Sequence, residues 1–102
     1  MEIAKLRDYC LSDAHPRGRH KSRLFRSRLG LTADEAELLR QTLLDAARDR
    51  QKELQATDND EYGQRYVLDF PMTTAIGSAT IRSAWIVPAG QGVLRLISCY
   101  VL

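Results

Sequence analysis

The chain has 102 residues, 44% of them hydrophobic, and sets 15 lysines and arginines against 13 aspartates and glutamates for a formal net charge of +2 at pH 7. That length suits one compact domain that buries a modest core without disulfide or metal staples, so residues 1–102 are expected to form a single unit. Cys10 and Cys99 are too few for a disulfide framework and lie in no metal-ligand spacing, and no apolar run reaches the roughly 18 residues a membrane span needs. The N-terminus also lacks the apolar core of a secretory signal, so the expected site of action is the cytoplasm, with no membrane contact and no cofactor.

Leu6, Tyr9 and Cys10 fall at helical spacing and predict a short first helix over Ala4 to Leu11. Ser12-Asp13 reads as a turn, and Pro16 and Gly18 punctuate a loop. A second helix is predicted from Arg19 to Leu29, burying Leu24, Phe25 and Leu29, with Gly30 as a left-handed C-cap. Its first turn holds Arg19, His20 and Lys21. Cations there oppose the helix dipole by on the order of a few tenths of a kcal/mol each, and an anion bound at that end would reverse the penalty.

Thr32-Ala33-Asp34-Glu35 is a capping box, with Leu31 and Ala36 placed as a hydrophobic staple. It opens a third helix predicted from Ala33 to Leu54. Ala36, Leu39, Leu43 and Ala46, widened by Leu44 and Ala47, form its apolar stripe, and charged residues occupy the opposite face. Ala56 to Gln64, rich in Asp, Asn and Gly, reads as a solvated loop.

From Arg65 the period changes to 2. Arg65 to Met72, Ala79 to Val87 and Val93 to Leu102 are rich in Val, Ile, Tyr and Trp and are separated by glycine-containing turns. They predict three antiparallel strands in which Tyr66, Leu68 and Phe70 alternate with Arg65, Val67 and Asp69. Ile81, Ser83 and Trp85 would likewise share one face, with Arg82, Ala84 and Ile86 on the other. The fold class is therefore α+β: two or three N-terminal helices (residues 1–56) packed on a C-terminal three-stranded antiparallel β-meander (residues 65–102).

Charge is distributed unevenly along this plan. Between Ala14 and Arg28 stand five arginines, one lysine, both histidines and no acid, whereas residues 34–61 hold nine acids and four cations. The self-repulsion of such a basic run calls for a phosphate-rich or carboxylate-rich partner, from outside or from the chain itself.

Lys5-Leu6-Arg7-Asp8-Tyr9, Leu11, His15-Pro16, Gly18, His20-Lys21, Phe25 and Leu29-Gly30-Leu31 together resemble a bacterial domain-of-unknown-function family, the one numbered 6883. Ser83-Ala84-Trp85-Ile86 and Leu94-Arg95-Leu96-Ile97-Ser98-Cys99-Tyr100 resemble its closing strands, so the likeness covers nearly the whole chain. Ser22 and Ser12-Asp13 depart from the family pattern, which has a small residue after the lysine and an Asn-Pro-type turn. In size, element order and occurrence at the ends of polymorphic toxins, such domains resemble small ribonucleases of the barnase, RelE and colicin group. That likeness implies a toxin-like RNA-cleaving activity.

Metal-independent RNA cleavage needs a base for the 2′-hydroxyl, an acid for the leaving oxygen and cations for the phosphorane. His15, His20 and Lys21 supply acid, base and cation, with Arg17, Arg19 and Arg23 as phosphate-binding groups. Arg82, Ser98 and Tyr100 would contribute from the sheet. Against this stands a structural reading, in which His15 packs on the sheet and Lys21 pairs with Asp8 or Asp13. Arg23, Arg26 and Arg28 then form a solvated face bridged to the acidic helix.

Trp85 is expected in the core with its indole satisfied, and Asp69 as an exposed strand charge. No third ligand accompanies His15 and His20, so no metal site is expected. Two functions remain in view: a ribonuclease acting on RNA, and a non-enzymatic module, accessory or immunity-type, whose basic segment binds nucleic acid or a cognate acidic protein. The last strand, ending at Leu102, offers an edge for dimer formation.

Overall fold

The structure, a computed structural model, describes residues 19–102, with side chains from Ser22 onward. The predicted first helix, Ala4 to Leu11, and Cys10 lie outside the described residues. Among these residues two α-helices, α1 (Arg19–Leu29) and α2 (Ala36–Asp49), precede four strands, β1 (Gln55–Asp60), β2 (Gly63–Thr73), β3 (Ser78–Pro88) and β4 (Arg95–Val101). The strands form one antiparallel meander in the order β1-β2-β3-β4.

Helix α1 has the predicted bounds because both its face and its stop are written locally. Phe25 and Leu29 are buried, and Gly30 turns the chain at φ 69°. The Gly30 and Leu31 amides then donate to the carbonyls of Arg26 and Phe25 at 2.9 and 3.1 Å. The end of the helix is also tied to the sheet, since Thr74 in the β2–β3 turn donates its hydroxyl to the Leu29 carbonyl at 2.7 Å.

The capping box at Thr32 forms as predicted, with the Thr32 amide on Glu35 Oε2 at 2.7 Å and the Asp34 amide on Thr32 Oγ1 at 3.4 Å. The Thr32 hydroxyl and then the Thr32 amide, both donating to Glu35 Oε2, hold the Glu35 carboxyl below its ordinary pKa. The predicted continuous helix from Ala33 to Leu54 is, however, interrupted. Ala33–Glu35 and Gln51–Glu53 are single 3₁₀ turns, and the α-helix between them ends at Asp49. Continuing the i+3/i+4 stripe of Leu43, Ala46 and Ala47 would carry it onto Arg50, a guanidinium facing the core. The break leaves Arg50 paired with Glu53 at 3.2 Å and lets Leu54 pack on the core from an extended backbone.

The sheet has four strands rather than the predicted three, because Gln55–Asp60, expected as part of a solvated loop, pairs with β2. All six of its residues are exposed, so no apolar alternation announces it. Backbone pairing to β2 holds it instead, helped by the Arg65–Asp60 ion pair. Its ladder is irregular between Ala56 and Asn59, and its acids blunt the edge.

Both helices pack on one face of the sheet, α1 over β3 and β4 and α2 over β2. Leu68, Phe70, Met72, Ile81, Trp85, Leu96, Cys99 and Val101 meet Phe25, Leu29, Leu39 and Leu43 there in one core. The predicted alternation in β2 and β3 therefore holds. In β4 a bulge intervenes: Ala84 pairs with Ser98 but Trp85 with Leu96, leaving Ile97 as an extra residue. This shift turns Leu96, Cys99 and Val101 inward together and sets Arg95, Ser98 and Tyr100 on the opposite face.

Candidate functional site

The sheet brings together the three strand residues expected to join the site. Arg82 lies directly across from Tyr100, and Ser98 is the partner of Ala84, two positions along β3 from Arg82. Asp69 is the partner of Arg82 on its other side, so one row crosses three strands: Asp69, Arg82, Tyr100. Val67, Ala84 and Ile86 extend this face, and among the described residues neither α-helix packs on it. The helices, α1 included, occupy the other face.

Electrostatically the row is closed on itself. Arg82 donates from Nε and Nη2 to the two Asp69 carboxylate oxygens at 2.9 and 2.8 Å, and Tyr100 faces it across the β3–β4 pairing. Both neighbours raise the guanidinium's pKa above its ordinary value, Asp69 most. The Arg82 hydrogen bonds in turn hold the Asp69 carboxyl below the usual carboxylate range. Asp69 is thus an exposed strand charge whose counterion is built in. It is not poised as a base, and Arg82 has spent its two-pronged edge on a carboxylate that a phosphate would have to displace.

The same economy governs the acidic stretch after Thr32. Arg40 pairs with Glu37 at 3.1 Å, Arg48 with Asp45 and Asp49 at 3.1 and 3.0 Å, and Arg50 with Glu53 at 3.2 Å. These acids are neutralised by arginines of their own segment, so the expected bridging from α1 is not where these acids find their counterions. Each such exposed pair contributes little to stability. A shallow groove between α2 and β2 is lined by Asp45, Asp49, Arg50, Glu53, Phe70 and Pro71. Among the described residues no cluster of three or more His, Cys, Asp or Glu could hold a metal ion, and no helix is long and apolar enough to cross a membrane.

Of the basic segment, His15 and Arg17 lie outside the described residues, and for Arg19, His20 and Lys21 the backbone alone is described, as the first turn of α1. Arg23, Arg26 and Arg28 follow on α1 and are exposed. Arg23 and Arg28 make no ion pair among the described residues. The helix contains no acidic residue to neutralise them.

Trp85 is core, 1% exposed, with its indole N–H on Ser83 Oγ, and so is not a platform for a base. Cys99 is a buried core residue, 0% exposed. Sequence reasoning missed the bulge at Ile97, which has no composition signal, and with it the reason why Ser98 and Tyr100 face Arg82.

A family model described as "Domain of unknown function (DUF6883)" matches residues 1–102. No curated protein and no solved structure matches the chain, so the likeness to small toxin ribonucleases has no structural neighbour behind it.

Proposed function

We propose, for a chain that belongs to the DUF6883 family of unknown function, that it is a non-enzymatic module that binds nucleic acid through its basic segment, residues 14–30. The observation that carries this reading is the unequal disposal of positive charge. Beyond α1, Arg40, Arg48, Arg50, Arg65 and Arg82 each sit on a carboxylate of the chain itself, and among the described residues Arg95 is the one arginine there that does not. On α1, Arg23 and Arg28 stand exposed without one among the described residues, in a helix that has no acid. Unneutralised arginines of this kind suit a phosphate ligand that approaches from solvent.

The surface composition favours nucleic acid over an acidic protein. A protein interface is anchored by bulky apolar and aromatic side chains. The large hydrophobic residues exposed here are Leu38, Tyr62, Ile76, Val93, Ile97 and Leu102, and none belongs to α1.

The ribonuclease reading draws on one observation, the gathering of Arg82, Ser98 and Tyr100 on a single sheet face. Two facts weigh against it. That face is opposite the one on which α1 packs, and Arg82 is already paired with Asp69. Acid–base chemistry would rest on His15, His20 and Lys21.

Incubation of the purified protein with total RNA and tRNA, with and without chelator, tests the proposal. Retention of intact RNA is the expected result. Chelator-resistant cleavage that disappears in His20→Ala or Lys21→Ala would replace it with the enzymatic reading, and absence of both binding and cleavage would leave the acidic-protein reading in its place.

A further inference from the structure

Resting on the nucleic-acid reading, we infer that α1 recognises the phosphodiester backbone without reading bases, so that its ligand class is a nucleic-acid strand of any sequence. Base readout requires particular side chains. Stacking uses exposed aromatic rings, and edge recognition uses amides or arginines held in a fixed geometry against a base.

Among the described side chains of α1, the exposed ones are Arg23, Arg26, Ser27 and Arg28. Phe25, the aromatic ring described there, is 0% exposed and belongs to the core. Trp85 and Phe70 are likewise buried, Tyr100 lies on the opposite face of the sheet across from Arg82, and the exposed Tyr62 belongs to the β1–β2 turn and not to α1. Ser27 turns its hydroxyl back to the Leu24 carbonyl at 3.5 Å. What remains toward solvent among these side chains is guanidinium, and Arg23 and Arg28 make no ion pair among the described residues that would fix their orientation. Such groups follow phosphates, whose spacing is common to all sequences.

The acids of α2 and the turn after it do not cancel this field outright, because Glu37 pairs with Arg40, Glu53 with Arg50, and Asp45 and Asp49 share Arg48. The footprint is small, so the binding is weak, fast and salt-dependent. For a single strand the logarithm of affinity falls with the logarithm of salt by about 0.7 for each phosphate neutralised.

The test uses the full chain with fluorescent 20-nucleotide poly(A), poly(U) and poly(C) RNA, and with the corresponding DNA strands, titrated at several salt concentrations. The affinities are expected within about threefold of one another. Arg23→Gln with Arg28→Gln should weaken all of them about tenfold and lower the salt slope by about 1.4, two charges' worth. Circular dichroism of that variant confirms the fold is retained. A single homopolymer bound more than about thirtyfold tighter than the rest, or a double variant with an unchanged salt slope, overturns the inference while leaving nucleic-acid binding standing. If no strand is retained at all, the parent reading falls with it.

Discussion

The indole Nε1 of Trp85 donates to Ser83 Oγ at 2.8 Å, and the same hydroxyl donates to the Leu68 carbonyl at 2.8 Å, inside a core where Ser83 is 0% exposed. One serine therefore satisfies the sole polar atom of the largest core side chain and links β3 to β2. It is the polar device that lets a tryptophan be fully buried under α1 and α2.

Ser83→Ala is expected to cost about 1–3 kcal/mol, since the indole N–H is left without a partner in the core. Urea denaturation followed by circular dichroism measures this. In a Trp85→Phe background the same serine substitution should cost distinctly less; equal costs in both backgrounds would mean that the Trp85–Ser83 bond contributes nothing.

Gly30→Ala should destabilise the domain for two separable reasons. The residue adopts φ 69°, and an added Cβ would lie 2.5 Å from Ile76 Cγ1. The left-handed conformation alone costs a non-glycine residue about 1–2 kcal/mol. Ile76 is 68% exposed and can move, so Ile76→Ala is expected to recover only the smaller, steric part. Thermal melts of both single variants and the double variant separate the two contributions, and full recovery would show that backbone strain is negligible here.

Acid should weaken the Asp69–Arg82 row. Arg82 holds the Asp69 carboxyl below its usual pKa, so the pair's contribution is complete above the unfolded value of about 3.9 and is lost as pH falls through the lower, folded value. Glu35, Asp49 and Asp60 are shifted in the same direction and add to the trend. The pair is a surface one, 37% and 41% exposed, so the effect is modest. Between pH 5 and pH 3 the urea midpoint of Asp69→Asn is expected to fall less than that of the wild type. Parallel declines would show that the row carries no linked proton.

Deleting Ile97 should cost little more than replacing it by alanine. The deletion removes the extra residue of the bulge, so Leu96, Cys99 and Val101 fall into a plain period of 2 and keep Trp85, Ser83 and Ile81 as partners on the core face. Ile97→Ala, at a position 36% exposed, keeps the register and should cost under about 1 kcal/mol. Chemical denaturation of the two variants gives the comparison, and a deletion costing about 1.5–3 kcal/mol more than the alanine variant, the loss of one core side chain, would show that the strand slips instead of closing the bulge.

Local rules were enough for α1, the capping box, the apolar stripe of α2 and the inward faces of β2 and β3. A glycine after an apolar i, i+4 pair, a Thr-x-x-Glu, or a period of 2 each constrains a few neighbouring residues and needs no distant partner. Family membership was legible for the same reason, since its pattern is a string of nearby residues.

Three features required the assembled sheet. Gln-Ala-Thr-Asp-Asn-Asp becomes β1 because the edge of β2 offers hydrogen bonds, although none of its side chains enters the core. The stop of α2 before Arg50 follows from what the core would refuse. And the row of Asp69, Arg82 and Tyr100 joins residues up to 31 positions apart, the difference between 100 and 69, by a register that depends on one bulged residue. Pairing partners and excluded charges are properties of packing, and a linear chain does not carry them until it is folded.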